Sequence, residues 1–393
     1  MRALEGIRIL ALEHAVAAPL CTRHLADLGA EVIKIERPGE GDFARNYDRF
    51  VLDQSSFFVW LNRGKQSLTL DVKHPEAGAV LARLVARSDV LVQNLAPGAA
   101  ARLGLSYQAL ASDHPGLIVC DISGYGESGP YAQKKAYDLL IQAESGLISV
   151  TGSPEAPSRV GISAADIATG MYAQSAVLAA LFRRARDPLG RGANVKIAML
   201  DALAEWMTYP MYRHAYAGLA LPRVPTSHPA LAPYGAHKTA DGEVIFGLQN
   251  EREWAVFCGR VMGDASLASD PRFVTMAART ENRVVLTEII EARFAAMKSA
   301  EVVALLDRAG IANGRLNQAS DVWEHPQFAA RDRWREVETP NGTVRALLPA
   351  VTFADQEAAM GKVPGLGADT DAVLGDLGFD AAAIARLRAA GAL

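Results

Sequence analysis

What most limits the folds open to this chain is an alternation in its first 125 residues. Runs suited to strands, at 6–12, 31–36, 67–72, 90–93 and 117–122, are separated by helical segments at 19–28, 75–87 and near 99–103. Glu31, Val32, Ile33, Lys34, Ile35 and Glu36 alternate polar with apolar at period two, as a strand does. Strands that alternate with helices of about ten residues build βαβ units, and such units make a parallel sheet covered on both faces. The expectation is a doubly wound α/β domain.

The pattern changes further along. Residues 219–233 hold four prolines and few periodic apolar positions, and read as a linker. Asp241-Gly242 then separates two short β runs, a hairpin signal, and helical patterns follow at 251–261, 282–297 and 299–309. Asn341-Gly342 signals a second hairpin, and helical segments at 370–377 and 380–389 close the chain. The division expected is a large domain over 1–219 and 321–393, with a small α+β domain over 220–320.

Half of the 393 residues are hydrophobic and 21% are charged, so the chain can bury a sizeable core and global disorder is excluded. Lys and Arg number 40 against 44 Asp and Glu, a net charge of −4, which argues against nucleic acid as a partner. Cys21, Cys120 and Cys258 lie far apart without CxxC spacing, and the eight histidines show no HxH or HExxH pairing. No metal site or disulfide framework is expected. The start of the chain lacks an apolar stretch of signal-peptide length, and no apolar run nears the ~20 residues of a membrane helix. A cytoplasmic protein with no membrane partner is expected.

Two local motifs carry candidate chemistry. Gly124-Tyr125-Gly126-Glu127-Ser128-Gly129 fits GxGxxG after a strand, but Pro130 to Lys135 is a poor helix opening and no acidic strand end follows. It reads as a flexible loop over a site, with Gly124 and Gly126 as loop candidates. Ser163 with Asp166 three residues on, before a long helical run, reads either as a capping box or as a carboxylate held at a helix N-terminus. In the second reading the helix dipole keeps Asp166 ionised, and Ala164, Ala165, Ala168 and Gly170 leave room for a ligand. Arg37, Arg45, Arg63, Lys65, Arg102, Lys134 and Lys135 recur in loops, several after strand carboxyl ends, where open α/β sheets bind ligands. A polyanion such as a nucleotide or coenzyme A suits them.

Several segments together resemble the class III CoA-transferases, the formyl-CoA and carnitine CoA-transferase family. They are Leu25 to Gly39, Gly41-Asp42 with Arg45, Asn62 to Asp71, Asn94 to Gly98 with Arg102-Leu103-Gly104, and Tyr137-Asp138 with Gln142-Ala143 and Gly146. Asp166 with Thr169-Gly170, and Pro364 to Gly367 with Thr370 and Val373-Leu374, complete the set in the family's order. The resemblance implies a homodimer of two interlocked rings, each chain with a Rossmann-like large domain and a smaller second one. It implies Asp166 as catalytic nucleophile and Arg37, Lys65, Arg102 and Lys135 as coenzyme A contacts. Tyr137 and Asp138 fall at the active site, Asp138 where formyl-CoA transferase has a glutamate.

The implied reaction moves CoA from an acyl-CoA donor to a small carboxylic acid through an aspartyl anhydride and thioester, with no permanently bound cofactor. Two departures count against formyl or oxalyl substrates: Val16 replaces an active-site glutamine, and Phe246 to Asn250, with Gln249, replaces a glycine run. Residues 42–60 and 247–254, with Glu205-Trp206 and Tyr209-Pro210, look more like members that use succinyl-CoA with itaconate, citramalate or mesaconate. A second carboxylate then needs a cation, with Arg45, Arg213, His214, His228 and Arg252 as candidates. The alternatives are a formyl/oxalyl-CoA transferase and an α-methylacyl-CoA racemase. The racemase needs a histidine where this chain has Tyr137, whose ordinary pKa near 10 suits α-proton exchange poorly.

Overall fold

The computed structural model describes all 393 residues, which pack as two units. The first holds residues 1–147, 160–208 and 330–393, the second 148–159 and 209–329. Against the expected divisions near 220 and 320, most of the helix Thr208–Ala217 and the short helices Ala319–Trp323 and Pro326–Ala330 fall in the second unit.

The first unit is built on β1 (Arg8–Leu12), β2 (Glu31–Glu36), β3 (Lys65–Thr69), β4 (Val90–Gln93), β5 (Ile118–Ser123) and β6 (Ala193–Ala198). They form one sheet in the order β3-β2-β1-β4-β5-β6, every pair parallel. The direction of winding reverses between β1 and β4. Its helices include α1 (Ala17–Asp27), α2 (Ser56–Asn62), α3 (Ala77–Ala86), α4 (Ala99–Arg102), α5 (Asp138–Glu144), α6 (Ala164–Arg186) and α7 (Met199–Trp206).

Alternate residues of each strand feed opposite cores. Leu10, Leu12, Ile33 and Leu91 pack with α3 and the terminal helices Thr370–Asp376 and Ala381–Ala389; Ile9, Ala11, Val32 and Val90 pack with α1 and α6. The strand β6, at the far edge, has no counterpart in the sequence expectation, because only its two end alanines are buried and Asn194 and Lys196 interrupt its apolar run. Gly192 lets it form: a Cβ there would lie 1.9 Å from the Leu117 carbonyl oxygen. The opposite edge, β3, is covered by the end of the chain. Ser67 N–H donates to Asp369 (2.9 Å), Gly367 N–H to Ser67 Oγ (2.9 Å), Thr69 N–H to Thr370 Oγ1 (3.0 Å) and Asp71 N–H to the Ala392 carbonyl (2.8 Å).

By length and composition alone α6 would reach across a bilayer, a run the sequence expectation does not foresee. In this fold Ala173, Val177, Ala180 and Leu181 pack it against α1 and the sheet.

Around the carboxyl end of β1 lies a cluster of charges that water does not reach. Glu13, Lys34 and Lys65 have no exposed side-chain surface. Lys65 Nζ donates to Glu13 (2.6 Å), the Pro19 carbonyl (3.0 Å) and Asn62 Oδ1 (3.0 Å), so all three of its protons are placed. Lys34 Nζ donates to Asp42 (2.8 Å) and Glu13 (3.3 Å). Arg45 lays its fork on Glu36 (2.6 and 2.8 Å) and stacks 3.6 Å above the Phe58 ring. Burial alone would raise the carboxyl of Glu36, but Arg45, Lys34 and Ser67 bring it down to about 2.

The second unit has an antiparallel sheet of β7 (Tyr234–Lys238), β8 (Glu243–Gly247) and β9 (Asn313–Arg315), and the Asp241-Gly242 turn joins the first two. Helices Arg283–Phe294 and Ser299–Ala309 cover it over Phe246, Phe257, Leu286, Ile290 and Leu306. The second expected hairpin is β10 (Trp334–Thr339) with β11 (Gly342–Leu347), in the first unit.

Removing one partner from a buried charge set leaves the others unpaired, which costs about 3–5 kcal/mol. Lys65→Met is expected to lose that much in urea unfolding. Arg37→Met, at an exposed pair with Glu40, should change stability by under about 0.5 kcal/mol. Equal losses in the two variants would refute the role given to the cluster.

Candidate active site

Open α/β sheets bind ligands where the winding reverses, outside the carboxyl ends of the strands. Here that point lies between the segments that follow β1 and β4. Asn94 clamps the first of them: its side chain accepts from His14 N–H and donates to the His14 carbonyl, both at 2.9 Å. Beyond His14 the chain makes a left-handed turn at Ala15 (φ +62°) and enters α1 at Ala17.

Asp166, in the first turn of α6, sits near that entry, where the Ala17 N–H favours the ionised form of its carboxyl. What brings the helices together is Gly170, one turn further along α6, where a Cβ would lie 2.6 Å from the Ala17 carbonyl oxygen. Ala164, Ala165, Ala168 and Gly170 are buried. The small residues serve this close approach, and the sequence expectation that they leave room for a ligand is corrected accordingly.

The capping-box reading of Ser163 is also corrected, since its side chain makes no cap hydrogen bond. Asp138, the first residue of α5, caps α6 instead, accepting from Ala165 N–H (2.8 Å) and Asp166 N–H (3.4 Å) through one oxygen. Its other oxygen accepts from Gln142 Nε2 (2.7 Å), and Gln142 in turn accepts from Val160 N–H (2.9 Å). Asp166 is thereby released from capping. Burial and the Asp138 charge push its carboxyl up to about 7, with the Ala17 N–H pulling the other way. The expected dipole effect, full ionisation at neutral pH, is outweighed.

The surroundings are aromatic. Tyr47 lies within electrostatic reach of Asp166 and Tyr137, and burial first, then Asp42 and Asp166, raise its hydroxyl to about 12. The rings of His14, Phe43, Tyr47, Phe57 and Trp60 follow one another at 5.4–6.4 Å. His14, Arg37, Glu40, Gly41, Phe43 and Asn46 line a cavity of about 250 Å3. His14 Nδ1 is buried there without a partner, and burial lowers the pKa of the ring. The sequence reading weighs His14 only as a metal ligand, and nothing local in the sequence marks it as crevice-lining. A larger cavity, about 540 Å3, opens beside His24, Gln174 and Arg333 and contains none of the expected site residues.

Of the expected coenzyme A contacts, Arg37 is exposed beside Glu40, Arg102 is exposed at the end of α4, and Lys135 is exposed just before α5. Lys65 differs: with its ammonium sealed inside the charge cluster, it cannot touch a ligand. Arg45 is likewise engaged by Glu36. Tyr137 is 67% exposed at the N-terminus of α5. Gly124 is required by contact, since a Cβ would lie 2.2 Å from that of Ala136; Gly126 (φ +88°) turns the loop and donates its N–H to Ser123 Oγ at 3.1 Å. Lys134, over the rings of Tyr125 and Tyr131 and paired with Glu144, ties this loop down. Gln249, Arg213, His214, His228 and Arg252 all belong to the second unit; His228 stacks on Tyr234 at 5.4 Å.

The family model for CoA-transferase family III matches residues 4–370. Succinyl-CoA:glutarate CoA-transferase of Mus musculus is 34% identical over all of this chain and 91% of its own length. Succinyl-CoA–D-citramalate CoA-transferase of Chloroflexus aurantiacus is 33% identical over 86% of this chain and 85% of its own. The crystal structure of a CaiB/BaiF family protein from Brucella suis superposes with a TM-score of 0.83 at 33% identity, covering 96% of this chain and 99% of that one.

A carboxyl whose pKa rises from 3.8 to about 7 on folding favours the native state below pH 4 relative to neutral pH. That contribution is lost as pH climbs from about 4 to 7, on the order of 2–4 kcal/mol in all. Asp166→Asn is therefore expected to melt several degrees above the parent at pH 8, with the gap closing toward pH 4. A gap independent of pH would contradict the raised pKa.

Proposed function

The chain belongs to CoA-transferase family III, and on that premise we propose that it moves CoA from succinyl-CoA to a five-carbon dicarboxylic acid through Asp166. The observation that carries the mechanism is the state of this carboxylate: freed from capping by Asp138, seated where the sheet reverses, and half protonated near neutral pH. The acid is of the type of glutarate, citramalate, mesaconate or itaconate. The names of the relatives support this choice, as does Val16, which packs with Leu20, Leu61 and Ile167 where formyl-CoA transferase has a polar side chain.

In the proposed reaction, an Asp166 oxygen attacks the thioester carbonyl, the C–S bond breaks, and CoA leaves as thiolate. The thiolate attacks the aspartyl carbonyl of the anhydride, releasing succinate and leaving an aspartyl-CoA thioester. The acceptor carboxylate repeats the two steps in reverse and restores Asp166. Each bond made is matched by one broken, and no electron is gained or lost. Arg37, Arg102 and Lys135 are proposed to meet the phosphates, so that remote binding places the sulfur. The family's homodimer is retained in this reading, supported by Phe50, Met171, Phe182 and Trp206, which stand 48–87% exposed on the first unit.

Attack needs the ionised carboxylate, so kcat/KM is expected to rise with pH through an acid limb near 7. Asp138→Asn removes the repelling charge and should move that limb to lower pH. Incubation with succinyl-CoA and hydroxylamine, followed by peptide mass analysis, is expected to place a hydroxamate on Asp166. Asp166→Asn should show none and lose ~1,000-fold or more in transfer. Transfer that survives in Asp166→Asn would remove the nucleophile from this reading.

A further inference from the structure

Two acids stand at the N-terminus of α6, and one of them caps it. Asp166 is the third residue of the helix, the position from which an acid ordinarily reaches back to the N–H of the residue before the first, here Ser163. Asp138 holds the cap instead, with one oxygen on the N–H groups of Ala165 (2.8 Å) and Asp166 (3.4 Å). Nothing in Asp138 itself compels this. It is half-buried between the exposed Tyr137 and Leu139, so its carboxylate could turn to water.

What compels it is Gln142, one turn further along α5 and 0% exposed. Its amide can lie only one way, because the Val160 N–H (2.9 Å) must meet the oxygen. The NH2 is then turned to two acceptors, the second Asp138 oxygen (2.7 Å) and the Ile162 carbonyl (3.2 Å). Val160 is where the chain returns to the first unit, and Ile162 stands just before α6. One side chain thus fixes both the acid that caps and the backbone that leads into the capped end. A lysine or arginine would hold Asp138 as firmly but would cancel its charge; the neutral amide leaves that charge beside Asp166 intact.

We propose that Gln142 is a positioning residue for CoA transfer: it pins Asp138 on the N-terminus of α6 and so keeps Asp166 out of the cap and free to attack. Gln142 touches no reacting group; it acts through Asp138. Its effect on the reaction rests on the reading of Asp166 as nucleophile, while its geometry rests on the hydrogen bonds alone.

Gln142→Met keeps the length of the side chain and removes its hydrogen bonds. Asp138 can then turn to water, and Asp166 takes over the cap. The test measures, in the full-length protein, the single-turnover rate at which succinyl-CoA and hydroxylamine place a hydroxamate on Asp166. At pH 8 that rate should fall about ten-fold, the strength of an N-cap contact, while free CoA binds as in the parent by calorimetry. The acid limb should move to lower pH, because amides hold the carboxylate and the like charge has withdrawn. Asp138 and Tyr47, with Tyr137 beyond, are the titratable groups that face this site, and all are kept in the variants. Gln142→Glu is a rescue that pH can switch. The new carboxyl, sharing one proton with Asp138, can donate to Asp138 and accept from Val160 N–H; once that proton is lost, two carboxylates repel and the tether is gone. Trapping in Gln142→Glu should stay within about two-fold of the parent at pH 5.5 and drop about ten-fold below it at pH 9.

A folded Gln142→Met that traps at the parental rate overturns the proposal. So does a loss with the acid limb unmoved, which would mark a merely structural role. Should Gln142→Met fail to fold, a ratio of Gln142→Glu to parent that is the same at pH 5.5 and pH 9 overturns it. If Asp166→Asn proves active, the nucleophile reading falls by itself. A crystal structure of Gln142→Met then decides what Gln142 does: Asp138 off α6 and Asp166 on its amides is the result expected, and Asp138 still in place refutes the tether.

Discussion

Lys34 and Lys65 with Glu13, Glu36 and Asp42 are shut away from water around the end of β1, with the part-buried Arg45 laid over Glu36 at their margin. An apolar filling of equal volume would serve stability as well or better. What the charges supply is direction, because each hydrogen bond fixes a donor and an acceptor at one distance and one angle. Glu13 binds the loop after β1 to β3 and α1; Asp42 binds the loop after β2 to the turn before α1. Two consecutive crossovers are thus registered on one another at the place where the sheet reverses. Everything proposed for catalysis stands on the ledge so formed.

Asp166 shows how a helix start can hold a carboxylate without consuming it. An acid at this position of a helix ordinarily folds back onto its own backbone, where the amides hold it ionised and occupied. Here a second carboxylate from α5 takes that duty. The exchange has two effects in one stroke: the α6 amides are satisfied, and a like charge is set beside Asp166, raising its affinity for a proton. Gln142 keeps Asp138 from turning away. Asp166 and Asp138 belong to α6 and α5 and are joined by two backbone N–H groups.

Much of the fold was legible because parallel sheets are buried on both faces and write themselves as short apolar runs. β1, β2, β4 and β5 are of this kind, while both hairpins were marked by their Asp-Gly and Asn-Gly turns and the long helix after Ser163 by its length. The strand β6 was not legible, since an edge strand needs few apolar residues and its space is made by Gly192 against Leu117. The place of Asp166 at the start of a long helix could be read, but not the state of its carboxyl. A capping box is a local pattern, and the residue that displaces it, Asp138, lies 27 positions upstream of the Ala165 N–H it takes. Lys65 misleads for a related reason. A lysine in a loop before a strand reads as a surface charge open to phosphate, and only the fold shows Glu13 waiting 52 residues away to bury it.

The closing of β3 by the end of the chain bears on how the protein is made. β3 is complete after Thr69, yet the groups that cover its outer edge, from Gly367 to Thr370, come 300 residues later. Until then the strand offers unpaired N–H and C=O groups to any other extended chain. At a synthesis rate of roughly 5–20 residues per second the interval is about 15–60 s. For that period the nascent sheet is a template without its cover. The sequence that would shield it, Pro364 to Thr370, acts as a latch that the ribosome delivers some 300 residues after the strand it closes.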